Sequence, residues 1–498
     1  MPQQLGVVAA GHPVSARAGA DVLRDGGNAV DAALGAMLAS FACEPLLTGL
    51  GAGGYMLVVV PGEAVALLDF FVEAPGRDAD LSARGPLKPV SISFGDALQE
   101  FHVGESSVGT YGVPAGVCEA ARRFGTVPLD QLVAPAAALA RDGVELNPMQ
   151  AYIIELLTPI VTSTPEAAAL FAPGGRLVRA GDRIRQPELA DALELLGTEG
   201  SRPFYDGDIA SAIAVWLADR GGLVTRTDLA AYAVVDRPPV YVTYRGHEVL
   251  TNPPPSAGGI LIAQALSLLD EIAGQPSIAQ IVAVMERTQR ERTPEFLTGL
   301  DDPAFVKSFL GGAGGRLGST THIAVLDRDG WACSVTCSAG SASGVIVPGT
   351  GVHLNNMLGE QDLNPLGFHR YPPGRRMPSM MSPTVVLRDD VPVLAVGSAG
   401  SNRIRSAILQ TIIHSIDDGM SAQAAIDAPR VHFEDGVVYT EPGVDADVLQ
   451  AAGYTLAPFR DRNLFFGGAQ AVAREADGSF EGGGDPRRGG AATVVDGS

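Results

Sequence analysis

Residues 310–319 read Leu-Gly-Gly-Ala-Gly-Gly-Arg-Leu-Gly-Ser, with five glycines in ten positions. Glycine loses more backbone freedom on ordering than any other residue, so neither a helix interior nor a strand tolerates that density. The chain is punctuated here, and the patterns on its two sides differ. Upstream, apolar residues recur mainly at helical spacing, which predicts helices over 129–141, 188–196, 208–219, 259–272 and 278–292. Residues 15–43 form one amphipathic stretch that Gly26-Gly27-Asn28 divides into two helices. Strand-like runs cover 55–60, 64–71 and 240–244, the last before the Pro253-Pro254-Pro255 turn. Downstream, strands dominate. Residues 321–326 and 332–338 flank Asp327-Arg328-Asp329-Gly330, and Asp-Gly between apolar runs predicts a hairpin. Further strands are expected at 384–387 and 393–396, and helices at 404–417 and 421–428. The change of pattern suggests two halves meeting near residue 319.

Apolar residues make up 46% of the chain and charged residues 18%, which excludes disordered, collagen-like and coiled-coil architectures. Lys and Arg number 35 against 56 Asp and Glu, a net charge of −21. Such a surface repels phosphate backbones and anionic lipid, so neither nucleic acid nor membrane is an expected partner. No apolar run is long enough to span a bilayer, and no basic segment leads into an apolar signal core; the expected location is the cytoplasm. Cys43, Cys118, Cys333 and Cys337 lack zinc-site spacing, so neither a metal nor a disulfide is expected.

Three motifs bear on chemistry. Gly49, Gly51 and Gly54 match G-x-G-x-x-G, with Asp69 downstream. A dinucleotide site needs that motif between a strand and a helix, whereas here it follows a helix and opens a strand. It reads instead as close backbone packing near a site. Gly397-Ser398-Ala399-Gly400 approaches a nucleophile elbow but lacks the G-x-S-x-G spacing. The third run is Gly318-Ser319-Thr320-Thr321-His322, where the glycine-rich segment feeds two threonines that begin a strand. Composition alone reads this as a linker before β-structure. The chemical alternative is a chain that cuts itself before Thr320. The freed α-amine, with a reference pKa near 7.7–8.0, then serves as base for its own hydroxyl.

Several blocks recur in order along nearly the whole chain: VVAAGHPVSARAGADVLRDGGNAVDAALG (7–35), EPLLTGLGAGGYML (44–57), NPPPSAGGI (252–260), GSTTHIAVLDRDG (318–330), GVHLNNMLGE (351–360), MPSMMSPTVVL (377–387), and GSAGSNRI followed by APRVH (397–432). With these blocks the sequence resembles the γ-glutamyltransferase (γ-glutamyltranspeptidase) family of N-terminal nucleophile hydrolases. The resemblance implies an α+β fold, a four-layer αββα sandwich. It would be built from a large subunit, 1–319, and a small subunit, 320–498, cut from one precursor between Ser319 and Thr320. Thr320 aligns with the family nucleophile. Ser338 stands where a threonine hydroxyl bonds that nucleophile. Glu360 replaces an aspartate that binds the substrate ammonium, and Ser379 matches the second of two pocket serines. Gly400 and Ser401 match the Gly-Gly whose amides form the oxyanion hole.

The departures lie in the glutamate pocket. The arginine that clamps the substrate carboxylate is Phe71 here, with Arg375 or Arg376 as candidate stand-ins. The first pocket serine is Pro378, a Gln or Glu is Met357, and an asparagine after Ser338 is lost from Ala339-Gly340. Losing a bidentate arginine removes about 1.5–3 kcal/mol of charge-assisted contact. The expected activity is an autoprocessing, cofactor-free, Thr-dependent hydrolase or transferase. It would act on an amide of a small amino-acid-like or peptide-like substrate, as a heterodimer of its own fragments, with pairing of two such units left open. Two rivals stand beside it: C–C bond hydrolysis in alkylproline-type natural-product biosynthesis, and an unprocessed chain that binds without catalysing.

Overall fold

The computed structural model describes residues 3–93, 98–290, 300, 320–364 and 366–497. The glycine-rich segment 310–319, including Ser319, and the last two residues of the expected 278–292 helix lie outside them.

Two antiparallel sheets carry the fold. The first has seven strands, in spatial order Ala491–Asp496, Gln4–Ala10, Thr321–Asp327, Ala332–Ser338, Gly53–Val59, Ala66–Phe70 and Val235–Arg237. The second has six: Phe480–Gly484, Gly468–Arg474, Val391–Ala399, Thr384–Arg388, His247–Thr251 and Val240–Tyr244. Each sheet draws strands from both sides of residue 319. The change of pattern there is a change of local structure and not a boundary between two cores, because each half supplies strands that pair with strands of the other.

Alternation along the strands assigns their residues to faces. On Thr321–Asp327, Ile323 and Val325 join a core with Val8, Met56, Val335 and the helices Pro13–Arg24, Ala29–Cys43 and Leu129–Asp142. Ala324 and Leu326 face the other way and pack with Val7, Tyr55, Val385, Ala395 and Val472, between the sheets. On the far side of the second sheet, Val249, Val386, Val396 and Ala471 meet the helices Ala257–Asp270 and Arg403–Ile416. Asn28 caps Ala29–Cys43 through a capping box with Asp31, and all of that helix's residues are buried. Its small side chains let it lie close: a Cβ at Gly19 of the neighbouring helix would stand 2.7 Å from the Ala32 carbonyl oxygen.

Candidate active site

Thr320 is buried immediately ahead of its strand. Thr321 pairs with Cys337 across the ladder, so the same register carried one residue further sets Thr320 opposite Ser338, the last residue of the neighbouring strand. Ser338 in turn pairs with Gly53, in the glycine cluster, on the next strand. Alternation turns Thr320 toward the inter-sheet face and Thr321 toward the helices. On the inter-sheet face, the His322 ring lies under Gly397 of the second sheet, where a Cβ would come within 2.3 Å of it. His322 Nδ1 is 2.8 Å from Thr336 Oγ1, and burial lowers its pKa to about 3. His322 is a neutral packing residue joining the two sheets.

Gly397 lies near the end of Val391–Ala399, and Gly400-Ser401 turns that strand into the helix Arg403–Ile416. Thr320 and this turn therefore lie toward the same end of the inter-sheet space. Both turn residues are left-handed, with φ +116° at Gly400 and +70° at Ser401. A Cβ at Gly400 would stand 2.6 Å from Gly467 Cα, so glycine is required there. Ser401 in this region costs about 1–2 kcal/mol, and its surroundings must hold it. Arg403 N donates to Gly400 O at 3.1 Å, and Ile404 N to Ser401 O at 2.9 Å. Asn402 Nδ2 donates to Glu434 Oε1 at 2.6 Å, and Ser406 Oγ lies 2.8 Å from His432 Nδ1. Burial alone would raise the Glu434 carboxyl. The hydrogen bond with His432, the Arg403 guanidinium and the Asn402 amide outweigh burial and bring it down to about 2. The turn stands at a helix N-terminus, where the backbone dipole favours negative charge.

Ser338 and Glu360 meet at one loop. Ser338 Oγ accepts Gly340 N at 2.9 Å, and Glu360 Oε1 accepts Ser341 N at 2.9 Å. Burial raises the Glu360 carboxyl above the usual carboxylate range. Ser379 Oγ accepts Met381 N at 2.9 Å, while its carbonyl accepts Ala257 N at 2.8 Å. Asn252 Nδ2 donates to Met381 O, so block 252–260 braces the segment that carries Ser379. Pro378 is buried, and Met357 packs with Met377, Met381 and Phe71 between the sheets.

The Phe71 ring is fully buried and stacks on Tyr55, centroids 5.4 Å apart at 22°. Arg376 does not stand free to replace the missing arginine. Its Nη1 donates to Phe71 O and its Nη2 to Ala233 O, both at 2.6 Å. It also lies 3.4 Å from Asp69 and 3.6 Å from Glu73, over the Tyr232 ring. The half-buried Arg375 has its guanidinium 4.7 Å from the Tyr371 ring centre.

The family model for gamma-glutamyltranspeptidase matches residues 15–310 and 302–495. The chain belongs to the gamma-glutamyltranspeptidase family. It is 31% identical to the glutathione hydrolase proenzyme of Bacillus subtilis (strain 168), over 98% of this chain and 91% of the relative. It is 31% identical to the acylase ACY 1 proenzyme of Pseudomonas sp. (strain V22), over 96% and 91%. Among solved structures, the cephalosporin acylase from Bacillus halodurans superposes with TM-score 0.84 at 26% identity, covering 100% of this chain and 97% of that one. This gamma-glutamyltranspeptidase-family chain is accordingly an N-terminal nucleophile hydrolase with a mixed helix-and-sheet fold.

Two charged residues of this family member, Glu44 and Arg488, have no role that a sequence motif announces. Glu44, directly after Ala29–Cys43, is buried and accepts the Thr321 hydroxyl at 2.9 Å. Burial raises its carboxyl to about 7, against opposing effects of the Thr321 bond and of Arg488. Arg488 is buried between Glu44 and the Gly400 turn: a Cβ at Gly400 would lie 3.2 Å from its Nη2. Burial and Arg403 lower it to about 10. A charge directly after a wholly buried helix was the available signal for Glu44. Among the described residues, no group of three or more His, Cys, Asp or Glu is placed to hold a metal ion. No described helix is long and apolar enough to cross a membrane.

Proposed function

We propose that the chain cuts itself between Ser319 and Thr320 and then works through an acyl-enzyme on an amide of a small amino-acid-like substrate. The observation that carries this reading is the register that sets Thr320 opposite Ser338, toward the end of the inter-sheet space where the Gly400-Ser401 turn lies. In maturation, Thr320 Oγ1 attacks the Ser319 carbonyl carbon and the C–N bond breaks, leaving an ester and a free α-amine. Water then hydrolyses the ester, giving a Ser319 carboxylate and restoring the Thr320 hydroxyl. In turnover the α-amine takes the Oγ1 proton as Oγ1 attacks the substrate carbonyl. The Gly400 and Ser401 amides stabilise the oxyanion, and Ser338 supports the nucleophile through its hydroxyl. The ammonium returns its proton to the leaving amine, and water or an acceptor amine then releases the acyl group.

Three of the apolar cores, one between the sheets and one under each helix layer, support a four-layer αββα arrangement shared by fragments 1–319 and 320–498 as a heterodimer. The four cysteines are free, which fits a cytoplasmic enzyme. Phe71 supplies apolar area and no donor, while Glu360 keeps an acid for an ammonium group. The pocket therefore suits an amine-bearing substrate whose carboxylate is absent or masked. The acylase relatives fit an amide outside ordinary glutathione breakdown. Intact-mass measurement should give fragments 1–319 and 320–498. A screen of acyl anilides should then rank others above γ-glutamyl anilide. An uncut chain that nevertheless turns over would overturn the mechanism, and γ-glutamyl anilide as best substrate would overturn the altered pocket.

A further inference from the structure

We propose that Glu44 is a positioning residue for the nucleophile: by accepting the Thr321 hydroxyl, its carboxylate moors the chain end that cleavage before Thr320 creates. This rests on the cleavage proposed above.

The need for a mooring follows from the ladders. Thr321–Asp327 lies between two strands, but they do not support it equally. Pairing with Gln4–Ala10 stops at Ala10 opposite Ile323, whereas pairing with Ala332–Ser338 continues to Cys337 opposite Thr321. Among the described residues, the ladder thus supports the strand's first two positions along one edge alone, and Thr320 lies a residue further out. Before cleavage the chain continues behind Thr320. Afterwards Thr320 is a terminus, and chain termini lose order unless something ties them down. A nucleophile must be held to within about half an ångström of its productive position.

Glu44 sits where the second edge gives out. It follows the last residue of Ala29–Cys43, and its own N–H is fixed to Ser40 O at 2.7 Å, so the carboxylate hangs from a rigid, wholly buried helix. Gly11, the residue after Ala10, is where the neighbouring strand leaves the ladder. A Cβ at Gly11 would come 2.5 Å from Glu44 Oε2 and 2.6 Å from Thr321 Oγ1. Glycine there lets the carboxylate and hydroxyl meet in the space the ladder vacates. Thr321 points away from the inter-sheet face, so the bond holds the strand from behind and leaves the reacting side open. Arg488 and the Thr321 hydroxyl both favour the ionised carboxylate and oppose the burial that raises it.

The test uses mature protein carrying Thr321→Val, which keeps shape and removes the hydroxyl, beside Thr321→Ser, which restores it. The Val variant should lower kcat about tenfold or more with KM little changed, as befits a nucleophile displaced and not a pocket reshaped. Hydrogen exchange should quicken in peptides from the start of Thr321–Asp327 and stay unchanged in Gly53–Val59. The Ser variant should recover both readouts. Adding Glu44→Leu, which removes the acceptor, to Thr321→Val should lower kcat by much less than it does in the wild type, because both changes break one bond. A Val variant that is cut and matches the wild type in kcat and exchange overturns the mooring, as does a fall in kcat with uniform exchange across the protein. If the wild-type protein is active but never cut, the cleavage reading fails instead.

Discussion

Arg376→Met separates a structural arginine from a substrate-binding one. Arg376 bridges two carbonyls and two carboxylates under the segment that carries Phe71. Methionine refills the volume and leaves the partners behind. Asp69 is fully buried and keeps Arg237 Nε at 2.6 Å, and Phe71 O keeps the Tyr232 hydroxyl at 2.8 Å. Removing one partner of a buried ion pair costs about 3–5 kcal/mol, and these surviving bonds place the loss near the lower end, about 3 kcal/mol. Urea titration and thermal melting, both in a Thr320→Ala background that keeps the chain whole, should report that loss as an earlier midpoint. In the cleavable chain, assayed well below its melting temperature, KM for the best acyl anilide should remain within about twofold of wild type. Full stability with a tenfold rise in KM would refute the reasoning and make Arg376 a substrate contact after all. Arg375→Ala, at a half-buried site over Tyr371, should cost less than about 1 kcal/mol, so any rise in KM there reads binding directly.

Thr320→Ala should give one uncut chain on a denaturing gel and no detectable turnover; two fragments from this variant would place the scission elsewhere. Ser338→Ala should slow both maturation and turnover about tenfold, and Ser338→Thr should restore both, since each keeps or loses the same hydroxyl opposite Thr320. Glu44 should set a pH dependence of stability. Its folded carboxyl holds a proton up to about pH 7, against an ordinary value of 4.5, so unfolding between those values releases a proton. Its contribution therefore falls as pH rises through that window and stays low above it. Melting curves should accordingly show Glu44→Gln gaining little below pH 4.5 and most above pH 7, up to ~3 kcal/mol. An equal gain at pH 5 and pH 8 would assign the effect to packing.

Local pattern located the elements whose stability is local. Asn28 and the run of small apolar residues after it mark Ala29–Cys43 almost to the residue. The hairpin around Asp327–Gly330 was equally plain, since its turn chemistry is written in four positions. Gln4–Ala10 was not read as a strand, because seven residues of mixed character become one only between Ala491–Asp496 and Thr321–Asp327. The pair Lys88–Ser93 and Leu98–Val103 escaped for the same reason, having few buried side chains to set a period. At the site, the residue types around Thr320, Ser338, Glu360 and Gly400 carry the family resemblance in the sequence. The roles of Glu44 and Arg376 are not legible there. Glu44 meets Thr321 across 277 residues and Arg376 meets Phe71 across 305, and no local rule reports a contact at that separation. Phe71 was legible as a substitution, but its stacking on Tyr55 belongs to the packed interior.

The weaving of both sheets from both halves has a consequence for the life history of the molecule. The proposed cut before Thr320 would sever one bond without releasing either fragment, because the hairpin of Thr321–Asp327 and Ala332–Ser338 is clasped between two strands of the other fragment, Gln4–Ala10 and Gly53–Val59. The nicked protein would keep its shape as a held knot keeps its form after the loose end is trimmed. Its assembly, however, would become a one-time event. The precursor threads these strands as a single chain, at a rate independent of concentration. Once nicked and unfolded, the two fragments must find each other in solution before either sheet can close. The proposed maturation would thus turn a single-chain folding problem into a two-chain one.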